Sequence, residues 1–518
     1  MEATGPNRTL VPVEECDKSS ETAYFWYRTA VDTTDSIEHL GGINWRMAVC
    51  LVAAWTIVWA CVMKGIKTSG KVMYVTATFP YIVTTIFLVR AITLPGALEG
   101  IKYMFTPDMA KLIEPEVWLE AASQIFYSMG LAFGGLIAFA SYNPIKNNVK
   151  RDVVLLSGAN LFTSLYTAFV IFSILGFKGV SNQDKCFERN IHEMKMQFPH
   201  SDRVDVSQYR DYLSHNFSNT IFAGFRPNYT CDLNTIIREA AQGTGLAFIV
   251  FTQAMVEFPV APFWAIMFFL MLLMLGLGSM FGVLEGVITS IHDLRLFPWL
   301  KKPLLTAILC GFSCTVGVIF VTRAGEYYVK LFDSYAGSYG LMAVAFFEVV
   351  GVVYVYGWRR FCEDIRYMTG EYPNQYWRIT WRFVAPTIMF GLFASSVVRS
   401  FLKSPKYDGY EMDTAKTHKL SYPTWAMFVA GVLVISAMVP VPFVWFVRKF
   451  KIMRFEPDPE QQAAKRLGAT ISTEGMLGAG RSFLRFGSEM SSVGTGESVE
   501  AVTPGATPTG DNDVSSPT

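Results

Sequence analysis

Three stretches of this 518-residue chain set oxygen-bearing side chains among glycines in otherwise apolar sequence. The first runs Gln124-Ile-Phe-Tyr-Ser-Met-Gly-Leu-Ala-Phe-Gly-Gly-Leu, with Ser128 beside Gly130, Gly134 and Gly135. Glycine costs a helix about 1 kcal/mol against alanine, so the segment predicts a break that bares carbonyl oxygens. The same glycines would equally suit a close helix-packing face. The second is Ser157-Gly-Ala-Asn160-Leu-Phe-Thr163-Ser164, where Asn160 and Ser164 stand one helical turn apart on one face. An amide oxygen suits sodium, and hydroxyls with an amide N–H suit chloride; hydrogen bonding between helices uses the same groups. The third, Leu275-Gly-Leu-Gly278-Ser279-Met, is expected to interrupt its helix too. Two interrupted helices in one bundle point to a binding site better than one does.

These groups need a scaffold, and the missing charges outline it. Charged residues are 17% of the chain, against about 25% in soluble proteins. Uncharged stretches fall at 47–63, 72–89, 121–145, 153–177, 258–284, 303–322, 383–398 and 420–447, and 334–358 holds Glu348 as its single charge. A membrane span takes about 20 apolar residues, so nine spans are expected, and a large soluble protein is excluded. Glu348 is then the one acid expected to be buried mid-span, where a charge is functional or helix-paired. Asp333 and Asp293 sit at span ends, where charges are ordinarily solvated. The apolar run 240–256 leaves no room for a loop before the next span, so it is expected as a re-entrant or surface-packed helix.

The expected organisation is an external segment 1–44, spans within 45–177, a long external loop 178–257, spans within 258–450, and a disordered tail 451–518. Loops of one parity hold eighteen Lys and Arg residues and short loops of the other parity ten. That bias puts the C-terminus in the cytoplasm and the N-terminus outside. No signal peptide precedes the external segment. The glycosylation sequons at Asn7, Asn216 and Asn228 all fall on the outer side. Cys186 and Cys231 share the long outer loop, where a disulfide is expected, with two free thiols as the alternative. No metal-ligand spacing occurs among the cysteines and scattered histidines, and no nucleic-acid partner is expected.

Several strings together resemble the neurotransmitter:sodium symporters (solute carrier family 6) over residues 10–450. They are Tyr24-Phe-Trp-Tyr27, Leu94-Pro-Gly-Ala97, the run from Gln124 to Asn143 ending Ala-Phe-Ala-Ser-Tyr-Asn, and Leu275-Gly-Leu-Gly-Ser279 followed by Glu285-Gly-Val-Ile-Thr289. Asp333-Ser-Tyr-Ala-Gly, Val353-Tyr-Val-Tyr-Gly and Thr380-Trp-Arg look most like the epithelial neutral and imino amino-acid branch. The resemblance implies an all-α, polytopic inverted-repeat bundle of the leucine-transporter type. It also implies a plasma-membrane symporter of neutral amino acids rather than an enzyme. Ser128 and Asn160 match a first sodium site, and the Leu275 carbonyl and Ser279 hydroxyl a second. Gln124, Ser128, Asn160 and Ser164 match a chloride site; Tyr127, Gly130, Phe133, Ser279 and Val283 match substrate positions. Asp333 and Asp293 match the acidic halves of the external and internal gates. Gly278 departs from the pattern, because many members carry a Thr or Asp oxygen there. A single-span glycoprotein of the collectrin type is the partner implied by this branch.

The family has twelve helices, and the nine expected here match the fourth to the twelfth. The expectation is therefore a symporter sequence lacking its first three helices, with residues 1–44 resembling the end of the second external loop. The alternative is a non-transporting membrane partner that sequesters full-length relatives. A channel is disfavoured, because the sequence offers neither a ring of charges nor a carbonyl filter.

Overall fold

The computed structural model describes residues 2–4, 10–12, 15, 21–63, 66–198, 204–215, 225–227, 230–238, 245–293, 299–402, 405–412, 414 and 416–450. Asn7, Asn216, Asn228 and the tail 451–518 lie outside the described residues, as does the side chain of Asp293. The chain divides into two compact units, 1–442 and 443–518. Of the second, 443–450 are described, with Phe446 against Phe450 at 4.4 Å between ring centres.

The bundle is helical, as the apolar runs require. With no water at membrane depth, a spanning backbone must satisfy its own polar groups. The main helices are α1 (Trp45–Val62), α2 (Ile66–Ile92), α3 (Pro115–Met129), α4 (Gly135–Ala140), α5 (Val149–Gln197) and α6 (Ala261–Asp293). They continue with α7 (Lys302–Gly317), α8 (Gly325–Thr369), α9 (Gln375–Val398) and α10 (Thr424–Met438). Among the described residues, seven helices are long and apolar enough to cross a membrane. The run 121–145 is divided between α3 and α4, and α10 is a shorter apolar helix of 15 residues. Two antiparallel strand pairs, Glu2–Thr4 with Leu10–Pro12 and Lys406–Glu411 with Lys416–Ser421, are the β-structure described.

Helix α6 lies at the middle of the packing. One buried cluster joins its Leu277, Phe281, Leu284 and Ile288 to Val58 and Val62 of α1 and Cys310 of α7. Another joins its Phe268 to Val83 and Phe87 of α2, Val170 and Ile174 of α5, and Phe251, Ala254 and Met255. Those last three belong to the short helical stretch Leu246–Val256, which ends at Glu257 and turns at Val260 with φ 59°.

Helix α5 differs from its expected end near 177. It runs on to Gln197 without interruption. At 1.5 Å per residue its 49 residues reach about 74 Å, against about 30 Å of hydrocarbon. The extension carries Phe187, Ile191 and Met194, which form a small separate core with Val204, Tyr209 and Phe225. A disulfide ties Cys186 of this extension to Cys231, their Cα atoms 5.8 Å apart. Beside it, the Thr235 hydroxyl and backbone N–H donate to Asp232 at 2.8 and 3.0 Å, holding that carboxyl below its ordinary range.

The bridge closes a loop of 45 residues, for which chain entropy gives at most about 4 kcal/mol. The double variant Cys186→Ser/Cys231→Ser is expected to speed amide exchange in Val206–Ser214 and Leu233–Arg238. Exchange in α6 should stay as in the wild type.

Candidate functional site

The glycine-rich stretch after Ser128 is a true helix break. Helix α3 stops at Gly130, whose φ of 63° is left-handed, and α4 starts after Gly134 at φ 77°. Glycine adopts such angles without a Cβ penalty. Between them Ala132 takes φ 62°, an uncommon angle for a residue with a side chain. Tyr127 and Phe133 flank the break edge to face, 6.1 Å between ring centres.

The last turn of α3 meets α5 through polar groups. Asn160 Nδ2 donates to Ser128 Oγ at 3.2 Å, and Ser128 Oγ donates to the Ile125 carbonyl at 3.3 Å. With an amide N–H so used, the Asn160 Oδ1 remains an acceptor on the same side chain. Two neutral oxygens next to a helix break suit a hard monovalent cation. Gln124 and Ser164 are exposed on α3 and α5.

Helix α6 corrects the third expectation. The stretch through Gly276 and Gly278 does not interrupt the helix, which is continuous from Ala261 to Asp293. Its later glycines admit a neighbour instead. A methyl group on Gly135 would stand 2.8 Å from the Gly282 carbonyl oxygen, and one on Gly286 would stand 3.1 Å from the Gly135 nitrogen. The start of α4 therefore rests backbone to backbone on α6. Ser279 Oγ donates to the Leu275 carbonyl at 3.1 Å, so this serine and carbonyl lie together, while Leu275, Ser279 and Val283 are all exposed. The Ser128–Asn160 and Leu275–Ser279 pairs are two separate polar spots.

Sequence reasoning missed Thr76. This buried α2 residue places Oγ1 3.6 Å from where a Gly278 side chain would begin. Four residues on, Pro80 has no N–H to offer the Thr76 carbonyl. A hydroxyl from α2 thus stands beside the position that carries no side-chain oxygen of its own.

The buried acid is also not the expected one. Glu348 is exposed at a cleft of about 470 Å³ lined by Gly130, Gly134, Ala345, Thr380 and Met389 among others. Glu285 is the acid removed from solvent, with 1% of its surface exposed. Its Oε1 accepts from Lys302 Nζ at 3.1 Å and from the Tyr142 hydroxyl at 3.3 Å. That hydroxyl also lies 3.4 Å from Thr289 Oγ1. Glu285 lies one residue past the uncharged run 258–284, so the run gives no sign of its burial. Asp333 is exposed and opens a π-helical turn, Asp333–Gly340, inside α8 rather than outside a span.

The model of the sodium:neurotransmitter symporter family matches residues 3–452. The chain belongs to that family. Among its curated relatives, the sodium-dependent neutral amino acid transporter B(0)AT2 of Bos taurus is 41% identical over 454 residues, 85% of this chain and 62% of the relative. B(0)AT3 of Mus musculus is 44% identical over 445 residues, 83% of this chain and 71% of that protein. A Homo sapiens relative named as an inactive B(0)AT3 is 43% identical over 439 residues, 83% of this chain and 69% of its own length. The chain thus spans 62% of the length of the first relative it matches. It is a multi-pass membrane protein of a transporter family, not an enzyme.

Gly135→Val should lower the thermal midpoint in detergent by several degrees, because neither Gly282 nor Gly286 can give way without shifting α6. Gly276→Ala, with open space around it, should leave the midpoint unchanged or slightly raised. Lys302→Met strands the buried Glu285 charge and should cost about 3–5 kcal/mol. Adding Glu285→Gln to it should recover most of the loss in the same melting measurement.

Proposed function

We propose that the chain contributes to sodium-coupled symport of neutral amino acids across the plasma membrane, by alternating access. The observation that carries this reading is the Asn160–Ser128 contact, which sets an amide and a hydroxyl against a helix break. In this reading Ser128 and Asn160 hold one sodium ion, and the Leu275 carbonyl and Ser279 hydroxyl part of a second, with Thr76 beside the latter. Chloride would share Gln124, Ser128, Asn160 and Ser164. The substrate would lie along Tyr127, Gly130, Phe133, Ser279 and Val283, between gates that include Asp333 and Asp293.

The nine apolar segments would correspond to the fourth to twelfth family helices, with the C-terminus cytoplasmic, as the Lys and Arg bias indicates. Asn7, Asn216 and Asn228 would then face outward and carry glycans. A collectrin-type single-span glycoprotein would be the accessory partner. Each monovalent charge moving through 100 mV contributes about 2.3 kcal/mol, so one or two sodium ions suffice to concentrate an amino acid.

A second reading draws on the human relative named as inactive. In it, the chain pairs with full-length relatives without transporting.

The test is uptake of labelled leucine or proline by cells expressing the chain, with sodium or with choline outside. Sodium-dependent uptake is expected, and Asn160→Ala should weaken the apparent sodium affinity about tenfold or more, the loss of one charge-assisted ligand. Surface-expressed chain with no sodium-dependent uptake would sink the first reading. Reduced uptake by co-expressed mouse B(0)AT3 would then support the second.

A further inference from the structure

The end of the bundle around 358–383 carries charges that symport does not use. Five arginines and three acids fall there. Two of the acids are engaged elsewhere: the Tyr356 hydroxyl donates to Asp364 Oδ2 at 2.6 Å, and Lys150 Nζ lies 3.5 Å from Glu371 Oε2. Among the described residues, none of Arg359, Arg360, Arg366, Arg378 and Arg382 makes an ion pair with a carboxylate.

Three of them lie over aromatic rings instead. The Arg359 and Arg382 guanidiniums stand 5.5 and 5.2 Å from the ring centre of one residue, Trp358. Arg382 is also 4.9 Å from Phe383, and Arg378 is 5.5 Å from Tyr372. A guanidinium stacked on a ring keeps its N–H edge open, and that edge matches two oxygens of a phosphate.

Backbone and packing set this cluster at a boundary. Gly357, at φ 108°, redirects α8 just before Trp358. Beyond it Cys362 and Ile365 are buried while Arg359, Arg360 and Arg366 stay exposed, so 358–369 is amphipathic. Exposed apolar residues Val355, Ile379 and Phe383 adjoin the arginines on α8 and α9. Trp377 and Trp381 lie tilted against each other, 5.5 Å between ring centres, and Phe361 meets Trp381 edge to face at 5.2 Å. Such aromatic girdles mark the depth of lipid headgroups.

We propose that Arg359 and Arg382, both held against Trp358, bind the phosphate of an anionic glycerophospholipid at this end of the bundle. Charge complementarity favours the lipid, and the apolar surface running on from Phe383 and Ile379 gives its acyl chains a place to lie. A soluble phosphorylated ligand would leave that surface bare.

The full chain in detergent, titrated with dioleoylphosphatidylserine or dioleoylphosphatidylcholine and read by native mass spectrometry, tests this. Phosphatidylserine should bind about tenfold more tightly than phosphatidylcholine. Arg359→Gln/Arg382→Gln should abolish the preference, whereas Lys406→Gln/Lys419→Gln on the outer hairpin should keep it. Arg359→Lys/Arg382→Lys retains charge without the planar fork and should bind phosphatidylserine several-fold more weakly than wild type. No preference in the wild type, full preference in the glutamine variant, equal loss in the hairpin variant, or unchanged binding in the lysine variant would each overturn the proposal.

Discussion

A helix that breaks inside a bilayer must have its bared backbone covered by protein, and the contact of Gly135 with Gly282 and Gly286 does this here. Once α3 stops at Gly130, the chain turns through left-handed angles to Gly134 and needs a surface without side chains to rest on. Helix α6 supplies it, and so must itself stay continuous. The glycines of α6 are therefore a bearing surface for the break in its neighbour. The position of Ser128 against Asn160 follows from where α3 ends.

The same helix carries the most costly electrostatic commitment in the bundle. A carboxylate as buried as Glu285 persists only with partners, and these come from the start of α7 through Lys302 and from beyond α4 through Tyr142. One side chain thus connects three elements that sequence separates by up to 160 positions, Tyr142 to Lys302. Four and eight residues earlier in α6, Phe281 and Leu277 join α1 and α7 in apolar contact, so packing and charge hold α6 at both levels.

Away from these packed spans, cohesion changes character. The extension of α5 leaves the hydrocarbon and builds a small core around Tyr209, tied by Cys186 and Cys231. The hairpin Lys406–Glu411/Lys416–Ser421 packs Tyr407 against Tyr327 and Tyr422, with ring centres 5.1 and 4.8 Å apart. Lys330 pairs with Asp408 at 3.0 Å beside them. At 358–383, by contrast, three arginines lie over aromatic rings and none of the five pairs with a carboxylate among the described residues. Apolar burial, disulfide and ion pair close the first region, while the second presents unmet charge.

The place of the apolar segments was legible in the sequence, because charge exclusion from hydrocarbon is local and needs no partner to be seen, although among the described residues seven helices rather than nine are long enough to cross a membrane. So was the break at Gly130–Gly134, where three glycines fall within the six residues 130–135, and so was the family, through strings such as Leu275–Ser279 and Glu285–Thr289. Glycine alone, however, does not say whether it breaks a helix or admits a neighbour, and only the packing showed that Gly278 lies in a continuous α6 facing Thr76. An apolar run marks where lipid ends, not where a helix ends, which hid both the reach of α5 to Gln197 and the burial of Glu285. The pairing of Glu285 with Lys302, and of Arg382 with a tryptophan 24 positions away, depends on which helices lie side by side. Proximity between distant segments is a property of tertiary structure, and in this chain it decides which charges are met and which stay open.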